Sequence, residues 1–172
     1  MLRKRDSLEK RSGTIAILIV IKSTKFYGTW EGDIMQFNLT HSLRTHLEAS
    51  TSIKTVWLYD GVKLPAERPL LTVEQMQNNN TNISKSRRFE TTYRWQVGLY
   101  TSSIRERSLL QDAVKGSLIK DKIELLNATT PGEKLGYFYA LVTGEVPIIP
   151  EDISDKTSYH RVYFDVEVSA TI

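Results

Sequence analysis

The sequence predicts an α+β fold in which a mainly antiparallel sheet carries two helices packed on one face. Two segments, Phe89–Thr101 and Tyr159–Ala170, alternate apolar and polar residues, as strands with one buried face do. Two other segments repeat apolar residues at the spacing of a helix. Short links between consecutive strands favour antiparallel neighbours, so the predicted order of elements is α-β-β-β-α-β-β-β.

The first half of the domain opens with a helix predicted over Phe37–Ala49. Within it, three leucines recur at every fourth position and form one stripe: Leu39, Leu43 and Leu47. Strands are predicted next at Thr55–Tyr59 and Leu70–Met76. The segment Gln77–Arg88 (QNNNTNISKSRR) is polar and poor in apolar residues, so it is expected to be a mobile loop. It leads into the long strand Phe89–Thr101, and the two flanking strands therefore predict a long hairpin.

The second half begins with the capping box Ser103-Ile-Arg-Glu106, which predicts a helix that runs to about Leu118. Its expected apolar face consists of Leu109, Leu110, Ala113, Val114 and Leu118. Strands are then predicted at Lys122–Leu126 and Leu135–Val142, and Glu145–Thr157 is expected to leave the sheet as a proline-marked excursion. The final strand, Tyr159–Ala170, is expected to close the sheet.

Composition excludes several kinds of chemistry and removes the case for a generally basic protein. The chain has no cysteine, which excludes disulfides, thiolate nucleophiles and cysteine-based zinc sites. The net charge of +3 arises in residues 1–34, which carry 7 Lys/Arg and 4 Asp/Glu. Residues 35–172 carry 16 of each and are neutral, so the body of the protein has no general electrostatic attraction for nucleic acid.

Residues 1–34 are interpreted as an N-terminal extension and residues 35–172 as a single domain. The apolar run Thr14–Ile21 is too short to cross a bilayer as a helix. Three interpretations fit the extension: a signal peptide without a small-residue cleavage site, a buried or edge strand, or translated upstream DNA. For the last, Trp30-Glu31-Gly32 can be encoded by a string that contains GGAGG, a bacterial ribosome-binding sequence. Met35 would then be the native start.

No motif in the sequence predicts catalysis or ligand binding. There is no glycine-rich phosphate loop, no G-x-S-x-G elbow and no H-E-x-x-H helix. His41 and His46 are five residues apart, so they do not share a helix face as a metal pair would. The acidic cluster Glu151, Asp152 and Asp155 lacks the ligand spacing of a calcium loop. We therefore predict no catalytic, cofactor-binding or metal-binding residues, and an interaction protein rather than an enzyme.

The polar loop between the second and third predicted strands supplies the candidate partner-contact residues. These are Asn78, Asn79, Asn80, Lys85, Arg87 and Arg88. Mobile polar loops with basic residues can become ordered against a protein or a phosphate-bearing partner. The alternative is that the three charges are ordinary solubilising residues.

The order of elements and two strand sequences resemble a known family. An amphipathic helix follows directly after Met35, and a long polar hairpin loop precedes the strand E-x-x-Y-x-W-Q-V-G-L-Y (Glu90–Tyr100). A Ser-Ile-Arg-Glu-Arg helix comes next, and the strand H-R-V-Y-F-D-V (His160–Val166) completes the pattern. Over residues 35–172 the chain resembles the tail completion, or tail terminator, proteins of long-tailed (siphovirus-type) bacteriophages.

This resemblance implies an α+β subunit that closes into a ring, typically a hexamer, and caps the completed tail tube. The implied partners are further copies of the chain, the tail tube protein, the head-side connector protein and DNA that passes through the lumen, with no membrane and no cofactor. The implied location is the head–tail interface of the virion, after assembly in the bacterial cytoplasm. Residues 77–88 would contact the tube or line the channel.

Two alternatives to a tail terminator remain. The first is another head–tail connector component, such as a stopper or a minor capsid protein. The second is a nucleic-acid-binding module in which Lys85, Arg87, Arg88 and Arg94 contact phosphates and the aromatic residues of Phe89–Tyr100 stack on bases.

Overall fold

The computed structural model describes residues 31–83, 89–120, 122–148 and 160–171 of the chain. Along these residues lie two helices and eight strands. Their bounds, in chain order, are α1 (Glu31–Thr51), β1 (Thr55–Leu58), β2 (Leu70–Gln75), β3 (Asn79–Asn82), β4 (Phe89–Thr101), α2 (Ile104–Lys120), β5 (Ile123–Leu126), β6 (Lys134–Phe138), β7 (Leu141–Ile148) and β8 (His160–Thr171).

The main sheet has the strand order β1-β2-β4-β8-β7, and β3 pairs with β4 beyond the end of β2. All of its pairings are antiparallel except β1 with β2. β5 and β6 form a separate antiparallel hairpin, which contacts α1. The prediction of an α+β fold with a mostly antiparallel sheet and two helices is confirmed, with eight strands in the described residues in place of the six expected.

The core lies between the two helices and one face of the main sheet. On the main sheet, α1 lies over β1 and β2, whereas α2 lies over β4, β8 and β7. The three stripe leucines of α1 are fully buried, as are the inward residues of the long strands from Tyr93 to Leu99 and from Val162 to Val168. The alternation predicted for both long strands is confirmed, because buried and partly exposed residues follow period two, except near the end of β4, where the outward Gly98 and Tyr100 are also buried.

α1 is longer than the predicted helix, since it runs from Glu31 to Thr51 rather than from Phe37 to Ala49. Met35 is partly buried and packs against the core. The proposed start at Met35 falls inside this helix and stays a prediction.

α2 begins at its predicted capping box, but the Glu106 carboxylate reaches Ser102, one residue before the Ncap Ser103. The backbone N–H of Glu106 donates to Ser103 Oγ at 3.2 Å, and Glu106 Oε2 accepts from the N–H of Ser102 at 2.8 Å. The predicted apolar face is only partly right. Val114 and Leu118 are buried, but Leu109 and Ala113 are exposed because the helix turns a narrower stripe toward the sheet.

The strands of the C-terminal half differ from the sequence-based expectations. Leu135–Val142 is not one strand: it breaks at Tyr139-Ala140, so β6 pairs with β5 while β7 joins the main sheet and extends to Ile148. β7 therefore includes residues 145–148 of the expected excursion, whose residues 149–157 lie outside the described part of the chain. β8 does not close the sheet at an edge, because it lies between β4 and β7.

Candidate partner-contact site

The hairpin that carries the predicted contact residues forms an arm at one end of the sheet. We define the arm as β3, Phe89–Thr92 of β4 and Ser169–Thr171 of β8. β3 pairs with β4 from Asn79↔Thr92 to Asn82↔Phe89, and β8 pairs with the other side of the same stretch. All four side chains of β3 are exposed. The expectation of a strandless loop over residues 77–88 is therefore wrong for Asn79–Asn82, which hydrogen-bonds along β4 without burying its side chains.

Of the predicted contact asparagines, Asn78 holds the arm to the domain and Asn80 holds two strands of the arm together. Asn78 Nδ2 donates to Gln36 Oε1 of α1 at 2.5 Å, and Asn78 Oδ1 accepts from the backbone N–H of Arg94 at 3.2 Å. Asn78 thus supplies a side-chain acceptor between β2 and β3, where the backbone ladder is interrupted. Asn80 Oδ1 accepts from the hydroxyl of the buried Thr91 at 2.8 Å. Both side chains are therefore hydrogen-bonded within the chain, although that of Asn80 is exposed.

Asn79 is exposed and lies opposite Thr92, on the face of the sheet that points away from the helices; we call this the outer face. Lys85, Arg87 and Arg88 lie outside the described residues. The structure therefore brings Asn78, Asn79 and Asn80 together at the base of the arm, and the contact role of all six residues stays a prediction.

Sequence reasoning missed two further surfaces, which are the outer edges of the main sheet. One is the β1 edge. There, Phe37 of α1 and the β1 residue Trp57 place their ring centroids 5.3 Å apart, and Tyr59 packs against Trp57 at 6.4 Å. Phe37 and Tyr59 are exposed. Aromatic side chains on a surface are enriched at protein interfaces, so this edge is a candidate contact surface.

The second missed surface is the β7 edge. Leu141, Val146 and Ile148 are exposed along it. They pair with β8 residues whose side chains lie on the outer face, from Glu167 to Arg161. The residues of β7 alone do not show that it is an edge strand. Its position at the end of the sheet follows from its pairing with β8, which is distant in sequence.

The opposite face of β7 is tied to α2 by a polar contact. Lys115 Nζ donates to Glu145 Oε2 at 2.6 Å, and Gln111 donates to the other carboxylate oxygen. These hydrogen bonds lower the pKa of Glu145, and the same carboxylate raises the pKa of Lys115. The pair is largely solvated, so its part is to fix the position of α2 on the strand rather than to add much stability.

The outer face also carries a cluster of rings and guanidinium groups. Arg68 and Arg161 lie over the Tyr100 ring, 5.5 and 5.8 Å from its centroid, and the Tyr100 hydroxyl lies 3.2 Å from that of Tyr163. Burial is the main cause that raises the pKa of Tyr100 to about 12, with the Tyr163 contact second. A phenol held neutral in this way is a packing group and not an activated base.

A serine and a histidine meet between the two helices. Ser117 Oγ is 3.1 Å from His46 Nε2 and 2.6 Å from Ser50 Oγ. Ser117 is 7% exposed and lies within α2. The network joins α1 to α2.

A shallow, mostly apolar depression of about 340 Å³ lies between Pro69 and the start of α2. Its carboxylate, Glu106, is engaged in the helix cap. Among the described residues, no three His, Asp or Glu side chains are grouped closely enough to hold a metal ion. Within the same part of the chain, neither helix is long and apolar enough to cross a membrane.

Comparisons with known proteins match this chain to 27 chains of solved structures. A chain of a native gene transfer agent virion aligns with a TM-score of 0.48 and 10% identity, and the alignment covers 84% of this chain and 100% of the other. A second solved chain aligns with a TM-score of 0.45 and 14% identity, over 83% and 96%. No family model matches the sequence. No curated protein matches it either. At these scores the two likenesses carry no inference about function.

Proposed function

We propose that this chain is a structural protein of a tailed-phage-type virion, and specifically a tail completion protein that forms a ring on the end of the tail tube. The observation that carries the proposal is a pair of unlike edges on the sheet of the described residues, the β1 edge and the β7 edge, each with exposed apolar side chains. Two different surfaces on one subunit allow head-to-tail contacts, and such contacts generate rings when the rotation closes.

The segments that carry the resemblance also form the centre of the fold. Glu90–Tyr100 and His160–Val166 lie on neighbouring strands, and within them Trp95 pairs with Val166 and Val97 pairs with Phe164. The long strands, the capped second helix and the polar hairpin all occur in the expected order. This agreement supports a tail completion protein over an unrelated α+β protein.

The arm is the proposed contact for the tail tube. It is polar, its β3 side chains are exposed, and its base is anchored by Asn78. A hairpin held at its base and solvated along its length can fit against a second protein without first exposing a core. The opposite end of the ring would then meet the head-side connector.

The role is proposed to be assembly and not catalysis. A nucleic-acid-binding module is less well supported, because residues 35–172 carry no net charge and Arg94 is paired with Glu167 at 3.0 Å. A stopper or another connector component would share the neutral body and the two edges, and only its place in assembly separates it from a tail terminator.

The test is to inactivate the gene in the phage or phage-like genome that carries it and to image the resulting particles by electron microscopy. We expect tails of abnormal length that are not joined to heads. Filled heads that leak DNA beside tails of normal length would instead indicate a stopper. Normal, infectious particles would contradict a structural role altogether.

A further inference from the structure

Resting on the proposed ring, we infer that the β1 edge of one copy pairs with the β7 edge of the next, so that the main sheet continues from subunit to subunit. The occupant of each edge is thus a second copy of this chain. Within the described residues, each of these strands pairs with a neighbour on one side only. The backbone groups on the other side can accept another strand, with a carbonyl but no N–H at Pro147, so the β7 edge supplies fewer donors than a regular strand.

Strand direction makes this pairing antiparallel. β4 runs opposite to both β2 and β8, so β7, which is antiparallel to β8, runs in the same direction as β4. β1 is parallel to β2 and therefore runs opposite to β7. If copies repeat head to tail with their helices on the same side, β7 meets the next β1 in antiparallel orientation, which is the more stable ladder.

The side chains on the outer face also match across this junction. One row of paired residues crosses the sheet from Val56 through Gly98 and Tyr163 to Val146. The outer-face residues at the β1 edge are therefore Val56 and Leu58, and those at the β7 edge are Val146 and Ile148. All four are apolar and incompletely buried, so pairing would remove apolar surface from water on both partners.

Strand length limits the contact to one half of β7. β1 has four residues and β7 has eight, with an irregularity between Val142 and Gly144. A β-bulge disrupts pairing locally, so the regular half, Glu145–Ile148, is the part that fits β1. Leu141, beyond the bulge, would stay outside the interface. Because each contact is short, a dimer would be weak and closure of the ring would stabilise all contacts together.

The absence of cysteine makes the pairing testable by chemical crosslinking. A variant with Val56→Cys and Ile148→Cys would be treated with a short bismaleimide, which tolerates a small error in register. We expect a ladder of covalent oligomers up to the order of the ring. Each single variant serves as a control, because Val56→Cys alone or Ile148→Cys alone should give no ladder. A strong covalent dimer from either single variant would indicate pairing of like edges and overturn the inference.

A second pair of substitutions tests the interface without chemical crosslinking. Val146→Lys places a charge on the regular half of β7 and should raise the concentration for half-assembly by about tenfold or more. Leu141→Lys, on the same face beyond the bulge, is the matched control and should leave assembly unchanged. Circular dichroism checks that each variant is folded. If the variant with Val56→Cys and Ile148→Cys does not fold, a variant with Leu58→Cys and Val146→Cys replaces it in the crosslinking experiment.

The outcomes separate this inference from the proposed function. A ring in native mass spectra without a ladder from either cysteine pair would overturn the edge pairing and leave the ring standing. A ladder from Val56→Cys combined with Leu109→Cys, but not with Ile148→Cys, would overturn it too and would place the exposed side of α2 at the interface. A chain that stays monomeric with and without tails would count against the proposed function itself.

Discussion

The central strands β4 and β8 are paired along their whole length, but their two ends differ in what covers them. Inward and outward side chains alternate at both ends, and the helices cover only one end. Under the helices, their inward residues include Trp95, Val97 and Phe164, which are buried. In the arm, the same strands continue with threonines and β3 contributes asparagines, all held by backbone pairing. A strand pair can therefore extend beyond its core when hydrogen bonds replace burial.

The largest expected effect lies at the covered end. Trp95 is almost fully buried, and its Nε1 donates to Thr40 Oγ1 of α1 at 2.9 Å. Trp95→Ala should lower the free energy of unfolding by about 3–5 kcal/mol, as other large-to-small core substitutions do. Trp95→Phe keeps most of the ring and should cost less. Urea unfolding measures both, and a loss below about 1 kcal/mol for Trp95→Ala would show that the core is elsewhere.

A smaller effect is expected from two glycines that differ in their surroundings. A Cβ at Gly98 would lie 2.6 Å from Thr72 Oγ1 and 3.0 Å from the Tyr100 ring, so Gly98→Ala should cost about 1–3 kcal/mol. Gly116, within α2, has open space around it, and Gly116→Ala should stabilise the protein by about 0.5–1 kcal/mol. Thermal unfolding of the two variants should shift in opposite directions. A shift in the same direction would contradict the packing described for Gly98.

The base of the arm should be more sensitive than its exposed strand. Asn78→Ala removes the hydrogen bonds to Gln36 and to the backbone of Arg94, and should cost about 1–2 kcal/mol. Asn79→Ala, at the exposed neighbouring position, should change the free energy of unfolding by less than about 0.5 kcal/mol. Urea unfolding of the two variants measures the difference. Equal effects would mean that the arm is not anchored at Asn78.

The ionisation of Tyr100 is expected to have the smallest effect on the free energy of unfolding at neutral pH. Its pKa is raised from 10.0 to about 12, so folding favours the neutral phenol. The stability this provides is fully present below pH 10 and is lost as the pH rises toward 12. The free energy of unfolding should therefore fall across this window, and Tyr100→Phe should reduce the slope. If the free energy of unfolding of Tyr100→Phe falls with pH as steeply as that of the unsubstituted protein, the loss of stability at alkaline pH comes from other groups.

The parts of the fold that follow local periodicity could be predicted from the sequence. The long strands, the stripe of α1 and the cap of α2 depend on side chains a few residues apart. The break at Tyr139-Ala140 could not be predicted, because the run from Leu135 to Val142 is largely apolar and only its distant partners divide it. β3 was missed for a similar reason, since an asparagine-rich strand is held by its neighbour and not by its own propensity.

The candidate site was only partly predictable. The asparagines were found from composition, but their engagement with Gln36 and Thr91 depends on elements that are distant in sequence. The two edges depend on strand order, which places β8 inside the sheet and leaves β1 and β7 outside it. No short sequence pattern predicts the order of the strands in the main sheet.

The most direct test of the central claim is the mass and shape of the purified protein, measured by native mass spectrometry and electron microscopy, alone and with tails that lack it. We expect closed rings of one stoichiometry, a hexamer by the family resemblance, either in solution or on the tail ends. A chain that stays monomeric in both settings, or that forms only two-fold dimers, would contradict a ring-forming tail protein.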